Sequence, residues 1–310
     1  MITSVFSKSR PINYVIVIIL LVVSFLFYQF NISTSDLTAI QIGQKLVLLV
    51  LLVGSLLITN FITKKNGLSK DNSYTFLLFF IFLILFPDTL SDLKLILSNA
   101  FILLALRRLI SMHSMITPKE KIFDASLWVF LASLINFWCI LFLLLVFSSI
   151  ILHVSRDYRN WLIPFIAFFT VLVIGLMFSL AFYPEFLTLY PQQIYVDFTV
   201  KDLTNVFQNI AVAIYVVASL IAFVSMLFIL QSKMSHLISS YRKVIFAFII
   251  GLAIYFVMPE KHNSYLIYTF VPVAIMLTNY LEKIKKIWLK EGIVLLLALA
   301  SLVTYLLQIL

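Results

Sequence analysis

Apolar runs separated by short polar breaks set the rhythm of the chain. The runs cover 14–30, 42–63, 74–86, 93–112, 125–154, 161–182, 206–230, 244–257 and 292–310, and another reaches Tyr280 after the polar cluster Glu260, Lys261, His262, Asn263 and Ser264. Most are close to the ~20 residues that carry a helix across a ~30 Å hydrocarbon core at ~1.5 Å per residue. The breaks are of the kind that end helices: Pro87, which lacks the amide a helix interior needs, and the turn of Lys64, Lys65, Asn66 and Gly67. The pattern predicts an all-α, polytopic transmembrane bundle of about 10 to 11 segments, forming a single transmembrane domain over 1–310.

The run 125–154 is too long for one untilted span and short for two, and Asn136 interrupts its first third. As one span it puts Lys119 and Lys121 on the side opposite Arg156 and Arg159. As a hairpin of arms 125–135 and 137–154 it puts all four on one side, which the positive-inside rule favours. The first arm would then rise only ~16 Å, so it is expected to be re-entrant or shielded by neighbouring helices.

Composition agrees with lipid as the solvent. The 310 residues are 63% hydrophobic and 11% charged, with a mean hydropathy of +1.12, whereas soluble domains are roughly half apolar and about a quarter charged. The net charge of +9 sits at helix ends, so it reads as topology and not as a nucleic-acid surface. With the N-terminus cytoplasmic, all of the 22 Lys and Arg except Lys45, Lys94, Lys201 and Lys261 fall inside. The outer loops hold Asp36, Asp88, Asp92, Glu185, Asp197, Asp202 and Glu260. Lys8 and Arg10 precede the first run without a small-residue cleavage site, which predicts a retained first helix. Cys139 stands alone in an apolar run, so it has no intrachain disulfide partner.

Phosphate loops, GxGxxG, HExxH, CxxC and GxSxG are absent from the sequence, and no cofactor is expected. The four histidines do not suit one metal: His113, His153 and His236 fall at inner ends and His262 at the outer face, a ~30 Å separation against coordination bonds of ~2 Å. The candidate chemistry is external. Glu260, Lys261 and His262 on one turn, with Asp88 and Asp92 on another, supply a carboxylate as general base and cations for a phosphate. A solvated loop between two helices accounts for the same residues. The intramembrane amides Asn99, Asn136, Gln208, Asn209 and Asn279 are expected to tie helix to helix. The alternation over 193–201 suits an extended interfacial strip, and 108–121 a short interfacial helix.

Lys261, Tyr265, Leu266 and Pro272 resemble the late segment of lipid-linked-sugar transferases of the GT-C class, where a Lys, a Tyr-Leu pair and a Pro open a helix on the external side. Phe86-Pro87-Asp88, Arg107-Arg108 and Phe123-Asp124 are similar to a family of flavobacterial inner-membrane proteins of about this length, a likeness that carries no activity with it. The GT-C resemblance implies a bacterial inner-membrane transferase using a polyprenyl-phosphate-linked sugar. Asp88 or Asp36 would be the base, Glu260 and His262 its support, Lys261 the ligand of the lipid phosphate, and Tyr265 and Asp92 further substrate contacts. Those enzymes carry a long first external loop with the catalytic acid; here that loop is only 31–41, with Asp36. The rival expectation is a non-enzymatic scaffold that binds a membrane-protein partner.

Overall fold

The computed structural model describes residues 2–32, 38–182, 184–185, 188, 190–196, 206–231, 235–258 and 262–309, with the side chains of 2, 32, 193, 235 and 236 excepted. Twelve helices are used below: α1 (Ile2–Phe6), α2 (Pro11–Ile32), α3 (Ala39–Lys65), α4 (Tyr74–Leu85), α5 (Leu93–Ile110), α6 (Pro118–Ile135), α7 (Leu143–His153), α8 (Arg159–Phe182), α9 (Val206–Leu230), α10 (Ser235–Val257), α11 (Ile267–Lys283) and α12 (Ile287–Ile309). Short 3-10 turns lie at Pro87–Leu90, Ser111–Ser114, Phe137–Phe142, Tyr190–Ile194 and Asn263–Leu266. The strip expected over 193–201 lies outside the described residues from 197 on, and its first part closes the turn at Tyr190–Ile194. The stretch 108–121 is not one interfacial helix: it is the end of α5, a 3-10 turn and the start of α6, with Met115 and Thr117 at positive φ between them.

Several helices start earlier than hydropathy predicts: α6 at Pro118, α10 at Ser235 and α12 at Ile287. Polar and basic side chains do not end a helix; caps and prolines do. Pro118 occupies the first turn of α6, where its missing amide costs nothing. Thr38 opens α3 with a capping box to Gln41. Gly67, at φ +62°, closes the same helix in the left-handed region, with its amide on Lys64 O and that of Leu68 on Thr63 O.

The run 125–154 is a hairpin, with its break at Asn136. That residue is extended (φ −135°, ψ 104°) between α6 and the turn at Phe137–Phe142. The feet of the hairpin meet where Lys119 Nζ lies 3.2 Å from Asp157 Oδ2. The first arm is not half-length: α6 has 18 residues, ~27 Å, and lies beside α5 of the same length. Its extra turns carry Lys119, Glu120, Lys121 and Asp124, and Asp124 is paired with Arg108 of α5 at 2.7 Å.

The centre is occupied by α4 and α11, joined by the hydroxyls of Thr75 and Thr278 at 2.9 Å. In α4 every residue but Phe80 is buried, as an all-round apolar helix requires. Around this pair the outer helices have an inverted pattern. The buried stripe of α8 is Asn160, Pro164, Ala167, Val171 and Ser179, while Phe169, Phe178 and Phe182 stand 62–75% exposed. In α12, Ser301 and Thr304 are buried beside Val294, Leu297 and Tyr305, while Leu296, Leu299 and Leu302 are exposed. Small and hydroxyl residues inside with large apolar ones outside is an arrangement stable only where the surroundings are hydrocarbon.

Gly251 of α10 lies where α11 is weakened by Pro272. Proline has no amide for the carbonyl of Tyr268, four residues earlier. A Cβ on Gly251 would lie 3.1 Å from that oxygen and 2.7 Å from Thr269 Cγ2, so the two helices touch backbone to backbone.

Candidate functional site

The two ends of the bundle differ in chemistry. One end gathers the basic turns. Lys64 pairs with Asp71 at 3.1 Å, and Glu282 accepts from the Lys70 amide at 2.8 Å and from Asn72 Nδ2 at 2.6 Å. Cations close the end of α5 and the turn after it: Lys243 donates to Leu109 O, and Lys121 donates to Ser111 O and Ser114 Oγ at 2.8 and 2.9 Å. Burial and the neighbouring Arg108 and Lys65 push the Lys121 ammonium below its ordinary pKa.

At the opposite end the turn 87–92 splits its two carboxylates. Asp88 faces α2 and α9, with Oδ1 accepting from Tyr28 OH at 3.2 Å and Oδ2 from Gln208 Nε2 at 2.9 Å. Asp92 faces the tip of the hairpin. It caps α5 by accepting the Leu95 amide on Oδ1 at 3.0 Å, and with Lys94, Asn136, Trp138, Tyr195 and Tyr265 it lines a cavity of about 370 Å³. His262 stands exposed beside Tyr265, their rings 6.4 Å apart.

Below this cavity Tyr268 of α11 joins three elements. Ser98 of α5 donates to Leu95 O at 2.8 Å, so its oxygen receives the Tyr268 hydroxyl at 2.7 Å. Asn136 Nδ2 in turn donates to Tyr268 Oη at 3.0 Å. Beside it, Trp138 Nε1 is buried with no hydrogen-bond partner among the described residues. Three aromatic side chains, an amide, a carboxylate and an ammonium around one hollow suit a polar, hydroxyl-bearing ligand with an anionic group. Among the described residues no group of three or more His, Cys, Asp or Glu is placed to hold a metal.

Of the residues singled out from sequence, Asp92, Tyr265 and His262 are brought together. Asp88 is on the same turn as Asp92 but does not line the cavity. Asp36, Glu260 and Lys261 lie outside the described residues. Sequence reasoning missed Lys94, Trp138 and Tyr195 as cavity residues, and it read Asn136 only as a helix tie. The signal for Asn136 and Trp138 was present in the break of an apolar run; that for Tyr195 was not, because a 3-10 turn brings it there.

Among the described residues eight helices are long and apolar enough to cross a membrane, and with the inverted outer faces this defines a multi-pass integral membrane protein in contact with the bilayer. The chain belongs to the family described as Family of unknown function (DUF6427), which matches it over residues 1–310. No curated protein and no solved structure gives a significant match.

Proposed function

We propose that this protein is a GT-C-like transferase of the bacterial inner membrane, N-terminus cytoplasmic, that takes a polyprenyl-phosphate-linked sugar at its external face in envelope glycan or lipid assembly. The observation that carries the reading is the cavity bounded by Asp92, Lys94, Asn136, Trp138, Tyr195 and Tyr265 at the end opposite the basic turns. Asp92 is the base. Its Oδ2 has no partner among the described residues, whereas both oxygens of Asp88 are held by donors. In the reaction Asp92 takes the proton of an acceptor hydroxyl as its oxygen bonds to the sugar C1. The C1–O bond to the lipid phosphate breaks, and the phosphate leaves with the electron pair toward Lys94. Trp138 and Tyr265 supply ring faces for the sugar.

Asp92→Asn separates chemistry from fold, because Asn caps a helix about as well as Asp but is no base. The reading expects the variant to unfold within about 0.5 kcal/mol of the parent and to lose glycan transfer by about 100-fold or more, assayed by envelope glycan profiles and by transfer in proteoliposomes. Unchanged glycans for Asp92→Asn, Asp88→Asn and the deletion alike remove the enzyme reading. Co-purification of a stable membrane partner alongside that result would favour the scaffold.

A further inference from the structure

We propose that the groove between α7, α9 and α10 binds an anionic phospholipid of the leaflet at the basic end, with an acyl chain along the groove and the phosphate on the exposed Arg242, above the buried Lys243. The groove has a volume of about 430 Å³; its walls are side chains such as Ile151, Leu152, Leu227, Phe246 and Ile249, and the aliphatic stems of Arg242 and Lys243 close it at the basic end. Ile151, Leu227 and Ile249 are 45–58% exposed, on the outer surface where hydrocarbon is the neighbour. A soluble anion would gain nothing from such walls, whereas a lipid matches both walls and head.

The charge at the head is unbalanced. Lys243 is buried at 1% exposure and commits one proton to Leu109 O; Arg242 beside it is exposed. Among the described residues no carboxylate pairs with either: Asp71, Asp124 and Asp157 are paired with Lys64, Arg108 and Lys119. Lys121, also mostly buried, adds a further cation nearby, its own partners being a carbonyl and a hydroxyl. On the other flank of α7, His153 Nε2 is buried without a partner among the described residues, next to Lys119 and Arg156. Cations desolvated against carbonyl dipoles alone favour an incoming phosphate, and a basic pocket between membrane helices takes anionic headgroups. This inference is independent of the cavity at the other end.

The test is native mass spectrometry of the full chain in mild detergent, titrated with phosphatidylglycerol and, in parallel, with phosphatidylcholine of the same acyl chains. The first phosphatidylglycerol should bind about fivefold tighter or more, the preference expected from one cation near the headgroup. Because Lys243 also caps α5, Arg242→Gln and Ile249→Trp carry the test. The first should lower phosphatidylglycerol affinity by about fivefold, and the second, by filling the groove, should weaken the first binding event of both lipids. Equal affinity for the two lipids overturns the proposal, as does either variant leaving phosphatidylglycerol binding unchanged. Displacement of the lipid by equimolar inorganic phosphate would assign the head to a soluble anion and overturn the lipid as occupant.

Discussion

At the basic end the described ion pairs and buried lysines join helices and turns to one another, while at the acidic end a carboxylate oxygen, an ammonium and aromatic side chains border a hollow. Glu282 ties α11 to the 70–72 segment, Arg108 ties α5 to α6, Lys243 closes an α5 carbonyl and Lys121 one in the turn after it. At the other end Asp92 Oδ2 and Trp138 Nε1 have no hydrogen-bond partner among the described residues, and Asp92, Lys94, Trp138 and Tyr265 line the same space. The difference teaches where to look for function. Polar groups that complete one another contribute stability, and those left incomplete against a cavity are the ones with chemistry to spare.

Substitutions can break or sharpen that contrast. The largest loss of stability is expected under the cavity floor, at Gly251→Ala. The added methyl meets Thr269 Cγ2 and the Tyr268 carbonyl, an overpacking worth about 1–3 kcal/mol, and thermal unfolding in mild detergent would measure it. Next comes Glu282→Ala at the basic end, which leaves the Lys70 amide and Asn72 Nδ2 without their acceptor and should cost about 1–2 kcal/mol in the same assay. If Asp92→Asn proved equally destabilising, the two ends would not differ in kind. Tyr268→Phe should cost about 1 kcal/mol by stranding Asn136 Nδ2 and the Ser98 oxygen. It should also raise KM more than it lowers kcat if the hydrogen bonds serve to shape the cavity. Breaking Lys64–Asp71, an ion pair with a largely exposed aspartate, should change stability by less than about 0.5 kcal/mol.

The smallest effect is one of pH. The Asp157 carboxyl is held below the ordinary aspartate range, chiefly by the Arg159 backbone amide at 3.0 Å and then by Lys119. A folded-state pKa below the unfolded one stabilises above the unfolded value, about 4, and that contribution fades as pH falls through the folded value. Acidification below pH ~4 should therefore loosen the feet of the hairpin, read as faster hydrogen exchange at 155–160, and Asp157→Asn should abolish the dependence.

The bundle itself was legible because hydrocarbon imposes a one-dimensional code: a run of apolar residues long enough to cross must be a helix, whatever its neighbours do. So α8 and α9 were readable to within two residues and α2 and α3 to within three, and the break at Asn136 pointed to the hairpin. Where helices begin in the polar zone was not readable, since Lys119, Lys121, Arg242 and Lys243 mark the edge of the lipid and not the end of hydrogen bonding.

Sequence alone also determined the sidedness of charge, because positive residues cluster between apolar runs whatever the packing. It singled out Asp92 and His262 by their place on turns between apolar runs, and Tyr265 by the resemblance to GT-C transferases. Only the tertiary structure decided that Asp88 turns toward Tyr28 and Gln208 while Asp92, four residues on, turns toward Asn136, Trp138 and Tyr195. That choice depends on the rotation of a 3-10 turn and on which helices stand either side of it. Those are contacts between positions more than forty residues apart, and no local pattern of residues encodes them.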